Sequence, residues 1–163
     1  MSEHIKLKDG TETIHVFKNF LDYNLCDYYF KQINDLGPGV YDWDVRSKDI
    51  TKDKKIVNKV RKFLCKQLNI DLEIDQVQLQ NWNVGSRSGF HRHQNREGDG
   101  VRDTALNSLI YLNDDFEGGE FITPNNSYKP NKGDLTFFNG YTLWHGVNEV
   151  LKKDRKTIIF WWE

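Results

Sequence analysis

From residue 72 to its C-terminus, this 163-residue chain changes to an apolar pattern of period two, broken by turns at short intervals. Period two belongs to strands, because successive side chains point to opposite faces of a sheet. Ile74, Val77 and Leu79 open the first run, which ends near Trp82. Residues 85–89 are turn-rich and lead into Phe90-His91-Arg92-His93, and a polar loop over 94–103 follows. Residues 105–113 (ALNSLIYLN) read as the most buried strand. A turn over 114–119, a short strand over 120–123, a turn over 130–133 and a strand over 135–138 come next. A loop over 139–143 and strands over 144–150 and 156–162 complete the chain.

Before residue 72 the pattern differs. Residues 4–17 read as a hairpin turning at Asp9-Gly10. Residues 20–36 have helical spacing in Leu25, Tyr28, Tyr29 and Ile33, with Asp22 as N-cap and Gly37-Pro38-Gly39 as stop. Residues 41–50 are ambiguous: Trp43 and Val45 suggest a strand, and Arg46 reads as a surface charge before a pocket contact. Residues 52–69 form a second amphipathic helix with Ile56, Val57, Val60, Phe63, Leu64 and Leu68 on one face. Two N-terminal helices and seven or eight short strands predict a mainly β (α+β) domain, its helices packed on a barrel or sandwich. Residues 1–163 are expected to be one domain.

Net charge is −1, so no global field draws nucleic acid or an anionic membrane. Cys26 and Cys65 fall in different predicted helices among apolar neighbours and read as structural thiols. The chain lacks both an apolar run long enough to span a membrane and a signal-peptide core near its start. A reducing, intracellular (cytoplasmic) compartment is the expectation.

Three of the five histidines lie in two short stretches, 89–95 (GFHRHQN) and 143–157 (LWHGVNEVLKKDRKT). His4 and His15 sit in the hairpin ladder and read as ordinary strand residues. His91 and His93, two apart, project from one strand face, and His145 opens a later strand that can cross the same barrel mouth. Three such side chains form one triangular face of an octahedron around a divalent metal. Taken alone, an H-x-H pair also fits plain loop histidines. Ten residues after His145 comes Arg155, and twelve after it Thr157. An inward Arg is costly unless it meets an anion, which its planar fork and a neighbouring hydroxyl would bind. Arg155 also closes a charged run, 152–156, and could face water.

The motifs in order resemble the 2-oxoglutarate/Fe(II)-dependent dioxygenases, in their prolyl-4-hydroxylase-like branch. Residues 16–26 (VFKNFLDYNLC) resemble that branch's opening strand and helix, and 80–91 (QNWNVGSRSGFH) its approach to the first ligand histidine. Residues 109–121 (LIYLNDDFEGGEF), 132–138 (KGDLTFF) and 145–161 (HGVNEVLKKDRKTIIFW) are similar to its later segments. The resemblance implies a double-stranded β-helix (jelly-roll) core with two supporting N-terminal helices. It implies Fe(II) on His91, His93 and His145, and 2-oxoglutarate held by Arg155 and Thr157, with Tyr111 as a further contact or a core residue. It implies decarboxylation of 2-oxoglutarate to succinate with hydroxylation of a substrate, a protein or peptide (prolyl) side chain by class, with ascorbate as an accessory. Trp82 replaces the tyrosine often found at its place and is expected to pack on the pocket.

The family's first motif is His-x-Asp/Glu, whereas this chain has His91-Arg92-His93. The spacing from Gly85 puts His93 in the carboxylate's place; another register makes His93 the first ligand and Asn95 the second. Asp99 and Asp103 read as loop residues, and Arg87, Arg92, Arg96 and Arg102 as a solvated entrance. A three-His site predicts slow turnover or another metal. Two other functions stay open: a silent barrel binding metal or peptide, and a three-His oxygenase that does not use 2-oxoglutarate.

Overall fold

The computed structural model describes residues 3–33, 45–93 and 106–163. The hairpin is β1 (His4–Asp9) and β2 (Glu12–Phe17), with Gly10 at φ +60° in the turn. Helix α1 spans Tyr23–Ile33 and begins where the Asp22 carboxylate accepts from the Leu25 N–H at 2.9 Å. Strand β3 (Val45–Asp49) precedes helix α2 (Lys54–Leu68), which Asp53 caps by accepting from the Ile56 N–H. Tyr29 donates to that same Asp53 at 2.7 Å, tying the two helices together. Asn69, in the left-handed conformation, ends α2. Gly37-Pro38-Gly39 and Trp43 fall outside the described residues.

After α2 come β4 (Ile74–Trp82), β5 (Ser88–His91), β6 (Leu106–Tyr111), β7 (Glu117–Gly118), β8 (Phe121–Thr123), β9 (Asn126–Tyr128), β10 (Leu135–Asn139), β11 (His145–Val147), β12 (Val150–Lys152) and β13 (Arg155–Trp162). Ten strands thus follow α2 among the described residues, where seven or eight were expected. The run read as one strand over 144–150 is split, because β12 leaves β11's sheet to pair with β7, inside the segment read as a turn. That crossing brings Glu149 O so near Gly118 (φ +68°) that a Cβ there would stand 2.1 Å from it. A glycine is required at Gly118. Strand β9 was missed, and β13 begins one residue earlier than expected, at Arg155.

Among the described residues all pairings are antiparallel. A seven-stranded sheet runs β1-β2-β10-β6-β13-β4-β3, and a four-stranded sheet runs β5-β11-β8-β9. This is the mainly β jelly-roll with two helices that the sequence predicts. The large sheet is buried on both faces. Ile110, Ile158, Phe160 and Trp162 join Val57, Val60 and Leu64 of α2 and Cys26 and Ile33 of α1 in one core. Leu109, Tyr111, Phe121, Phe138 and Leu143 form a second core inside the barrel. Alternation along β6 and β13 therefore separates a face that carries the helices from a face that lines the interior. Arg155 and Thr157 fall on the interior face, in phase with Ile159.

Candidate active site

Strands β5 and β11 lie side by side with His91 and His145 as register partners. They approach closely because the next residue is Gly146: a Cβ there would stand 2.5 Å from Ser88 O and 2.9 Å from Gly89 O. Gly146→Ala must push β11 off β5. We expect it to cost about 1–3 kcal/mol in urea unfolding, as overpacking does, and to weaken Co(II) binding by separating the two imidazoles. His93 lies just past β5, held by its backbone N–H donating to Gly140 O at 2.7 Å.

The three imidazoles converge. Ring centroids of His91 and His145 are 4.4 Å apart, those of His93 and His145 4.7 Å, and those of His91 and His93 5.4 Å. One donor atom from each lies within 4.8 Å of the others. Each ring has its Nδ1 engaged on the far side. His91 Nδ1 donates to Gly89 O, and His145 Nδ1 to Leu143 O, both at 2.8 Å. His93 Nδ1 lies 2.8 Å from Asn107 Oδ1. A carbonyl can only accept, so Nδ1 carries the proton in His91 and His145, and their Nε2 atoms present lone pairs. His145 Nε2 lies 3.1 Å from His93 Nε2. Tethering of Nδ1 on the outer side resembles the way metal-binding histidines are oriented.

Burial drives His145 down to about 3 and His93 down to about 4, with charge on His91 adding to the fall for His93. Both rings are thus neutral at neutral pH, the form that ligates. Unfolded histidine titrates near 6.5, so below that pH the unfolded chain takes up protons that the fold refuses. Stability from these two rings is complete above about pH 6.5 and is lost as pH falls toward their folded values. Moving from near pH 7.5 to about pH 4.5 should cost about 2–3 kcal/mol per ring. Urea unfolding of the metal-free protein would show this, with a shallower slope in His145→Gln.

The second cluster lies on β13 and β6. Arg155 is 1% exposed and has no carboxylate partner among the described residues. Its Nε donates to Gly119 O and its Nη2 to Tyr111 Oη, each at 3.0 Å. The guanidinium lies between the Trp82 and Tyr111 rings, 5.4 and 5.1 Å from their centroids. Gly119, at φ +65°, admits it: a Cβ there would be 3.1 Å from Arg155 Cδ. Nη1 of Arg155 and Oγ1 of Thr157 are buried without a partner. Thr157 and Tyr111 are register partners on adjoining strands. Burial raises the Tyr111 phenol above its usual value, against the pull of Arg155, so it stays protonated. Two unmatched buried donors and a phenol beside a buried cation make a site for a carboxylate.

The two clusters share one interior. Phe138 and Phe121 pack on His145, with centroids 4.8 and 5.9 Å away, and both belong to the apolar cluster that contains Tyr111. Trp82 packs against the pocket as expected, with its indole N–H on Gln80. Arg46 is half-buried, donating to Asn83 and 3.8 Å from Asp154, a more structural placement than the surface charge expected. Arg92 lies over the Trp144 ring. Asn95, Asp99, Asp103, Arg96 and Arg102 fall outside the described residues. Asn107 and Gly119 escaped the sequence reading. Their signals were an amide within a strand read as buried and a glycine pair before a short strand.

Residues 77–163, more than half of the chain, match the family described as the 2OG-Fe(II) oxygenase superfamily. A 62-residue stretch is 42% identical to human prolyl 3-hydroxylase 2, covering 33% of this chain and 9% of that protein. The fold matches a viral collagen prolyl hydroxylase from Paramecium bursaria Chlorella virus-1, solved with 2-oxoglutarate. That match has TM-score 0.73 and 19% identity over 91% of this chain and 94% of the other. A prolyl-4-hydroxylase from Pseudomonas putida gives TM-score 0.72 and 16% identity, covering 94% and 93%. Among the described residues no helix is long and apolar enough to cross a membrane.

Proposed function

Because the chain belongs to the 2OG-Fe(II) oxygenase superfamily, we propose that it is one dioxygenase domain that binds Fe(II) through His91, His93 and His145 and hydroxylates a protein side chain, prolyl by class. Arg155, Thr157 and Tyr111 would take the distal carboxylate of 2-oxoglutarate. The observation that carries this is the buried guanidinium of Arg155, whose free Nη1 joins an unpartnered Thr157 hydroxyl in the same interior as three converging imidazoles. A buried cation without an anion is a large cost in a resting fold, and an anionic co-substrate offsets it.

The residues fit the group they would hold. His145 and His93 face one another through Nε2 at 3.1 Å, a contact that a cation between the three rings would relieve once every Nδ1 carries its proton. Bound Fe(II) would supply the redox chemistry coupling decarboxylation of 2-oxoglutarate to oxygenation of a C–H bond, with ascorbate keeping the iron divalent. The chain's part is geometric and electrostatic. Arg155 fixes one end of the co-substrate, Tyr111 braces Arg155, and Phe121, Phe138 and Leu143 keep the interior apolar. The human and viral relatives are named as prolyl hydroxylases, which supports a peptide substrate. Two free thiols, Cys26 buried and Cys65 partly so, support a reducing compartment.

The donor set supports a second reading, a slow enzyme or a metal-binding module, since it offers three imidazoles and no carboxylate among the described residues. A neutral imidazole donates less negative charge than a carboxylate, so the oxidised metal is harder to reach. Anaerobic addition of 2-oxoglutarate to the Fe(II)-loaded protein should produce a visible charge-transfer band, the mark of a keto acid bound to iron. Succinate should then form in air, faster in His93→Asp. No band and no succinate from either protein, with iron bound, would sink the oxygenase reading.

A further inference from the structure

We propose that Asn107 is a positioning residue that holds the His93 imidazole in the orientation and tautomer a metal ligand needs; this rests on the ligand set proposed above. Strand β6 alternates strictly. Ser108 and Ile110 face the helices, where the Ser108 hydroxyl accepts from Trp162 Nε1. Asn107, Leu109 and Tyr111 are in phase on the interior face. Asn107 is 0% exposed. A buried amide on an interior stripe weakens the fold unless its polar atoms are matched, and its Oδ1 lies 2.8 Å from His93 Nδ1. One strand thus serves both clusters: Asn107 meets His93, and four residues on Tyr111 meets Arg155.

Why His93 needs this follows from how the other two rings are held. His91 and His145 each donate to a backbone carbonyl two residues upstream, so their own segments orient them. His93 sits past the end of β5 and takes its Nδ1 partner from another strand, 14 residues along the chain. A carboxylate here, as in the family's His-x-Asp/Glu motif, would present two oxygens and carry no N–H to tether. Putting an imidazole in that place creates a need for an outer acceptor, and Asn107 meets it. An amide also suits both states of the site. With its oxygen toward His93 it accepts the Nδ1 proton and frees Nε2 for a metal. Turned over, it donates to Nδ1, and His93 Nε2–H can then donate to His145 Nε2 across their 3.1 Å separation. The three outer acceptors are two carbonyls and one amide, so none of them offsets the charge of a bound cation.

Titration of the full chain with Co(II) alone, followed by its visible ligand-field bands, tests this. Wild type, Asn107→Leu, Asn107→Asp and His93→Ala are compared, with far-UV circular dichroism on each. Asn107→Leu should bind Co(II) about 10–100-fold more weakly, the usual effect of losing an outer partner, with bands shifted toward those of His93→Ala. Asn107→Asp, which keeps the shape and can only accept, should restore the bands and bind at least as tightly as wild type. Wild-type affinity and bands in a folded Asn107→Leu, while His93→Ala is impaired, would overturn the role of Asn107 and leave the ligand set standing. Should the leucine variant not fold, Asn107→Asp decides alone: weaker binding than wild type, with bands shifted toward those of His93→Ala, overturns the proposal. Equal binding by wild type and His93→Ala would instead overturn the ligand set, and this inference with it.

Discussion

Arg155→Leu should abolish measurable 2-oxoglutarate binding while leaving metal binding intact. The guanidinium is fully buried, braced by Gly119 O and Tyr111 Oη, and keeps one nitrogen unmatched. Against a carboxylate this arrangement gives charge-assisted hydrogen bonds in an interior that excludes water. Removing one member of such a pair costs about 3–5 kcal/mol, a loss of roughly a hundredfold to several thousandfold in affinity. Calorimetry with the Co(II)-loaded protein and 2-oxoglutarate measures it. The stability effect should be much smaller than the binding effect. Leucine removes a buried charge that has no carboxylate partner among the described residues, which is a gain, and orphans the Tyr111 phenol and Gly119 carbonyl, which is a loss. A variant that loses stability and affinity in equal measure would mark Arg155 as a structural residue. Saturating co-substrate should raise the melting temperature of wild type and leave that of the variant unchanged.

His145→Ala should lower metal affinity by at least about a hundredfold, more than the tenfold to hundredfold typical of outer-partner mutations. His145 is the hub of the cluster: it is the register partner of His91, within 3.1 Å of His93 through Nε2, and packed on Phe121 and Phe138. Alanine also opens a cavity beneath those rings and should cost a few kcal/mol of stability, about 2–4 by analogy with other large-to-small core changes. His145→Gln separates the two effects, filling the space with a poorer ligand. Excess Zn(II) or Co(II) at about 100 times Kd should stabilise wild type by about 2.7 kcal/mol and either variant by far less. Equal stabilisation of all three would remove His145 from the ligand set.

Much of this site was legible in the chain. His145, Arg155 and Thr157 stand out because a short segment couples a ligand-type residue to a cation and a hydroxyl on one strand face. The hairpin, both helices and the long strands were legible because their periods of two and 3.6 are local properties. The split between β11 and β12 was not, since residues 144–150 alternate like one strand and the crossing to β7 depends on a glycine two dozen residues or more away in sequence. Strand β9, three residues of polar character, has too little pattern to announce itself. Asn107 was invisible as a partner because nothing in the order of residues says which interior atom an amide on β6 will meet.

Sequence alone determined the fold class, the family resemblance and the break in that family's first motif at His93, because each rests on residue type and spacing. Tertiary structure decided which way each imidazole is turned, that Arg155 is buried with a donor left over, and that Asn107 stands behind His93. Those facts depend on the register between strands far apart in the chain. A shift of one residue in β6 against β13 would turn Asn107 and Tyr111 to the helix side and take both clusters apart.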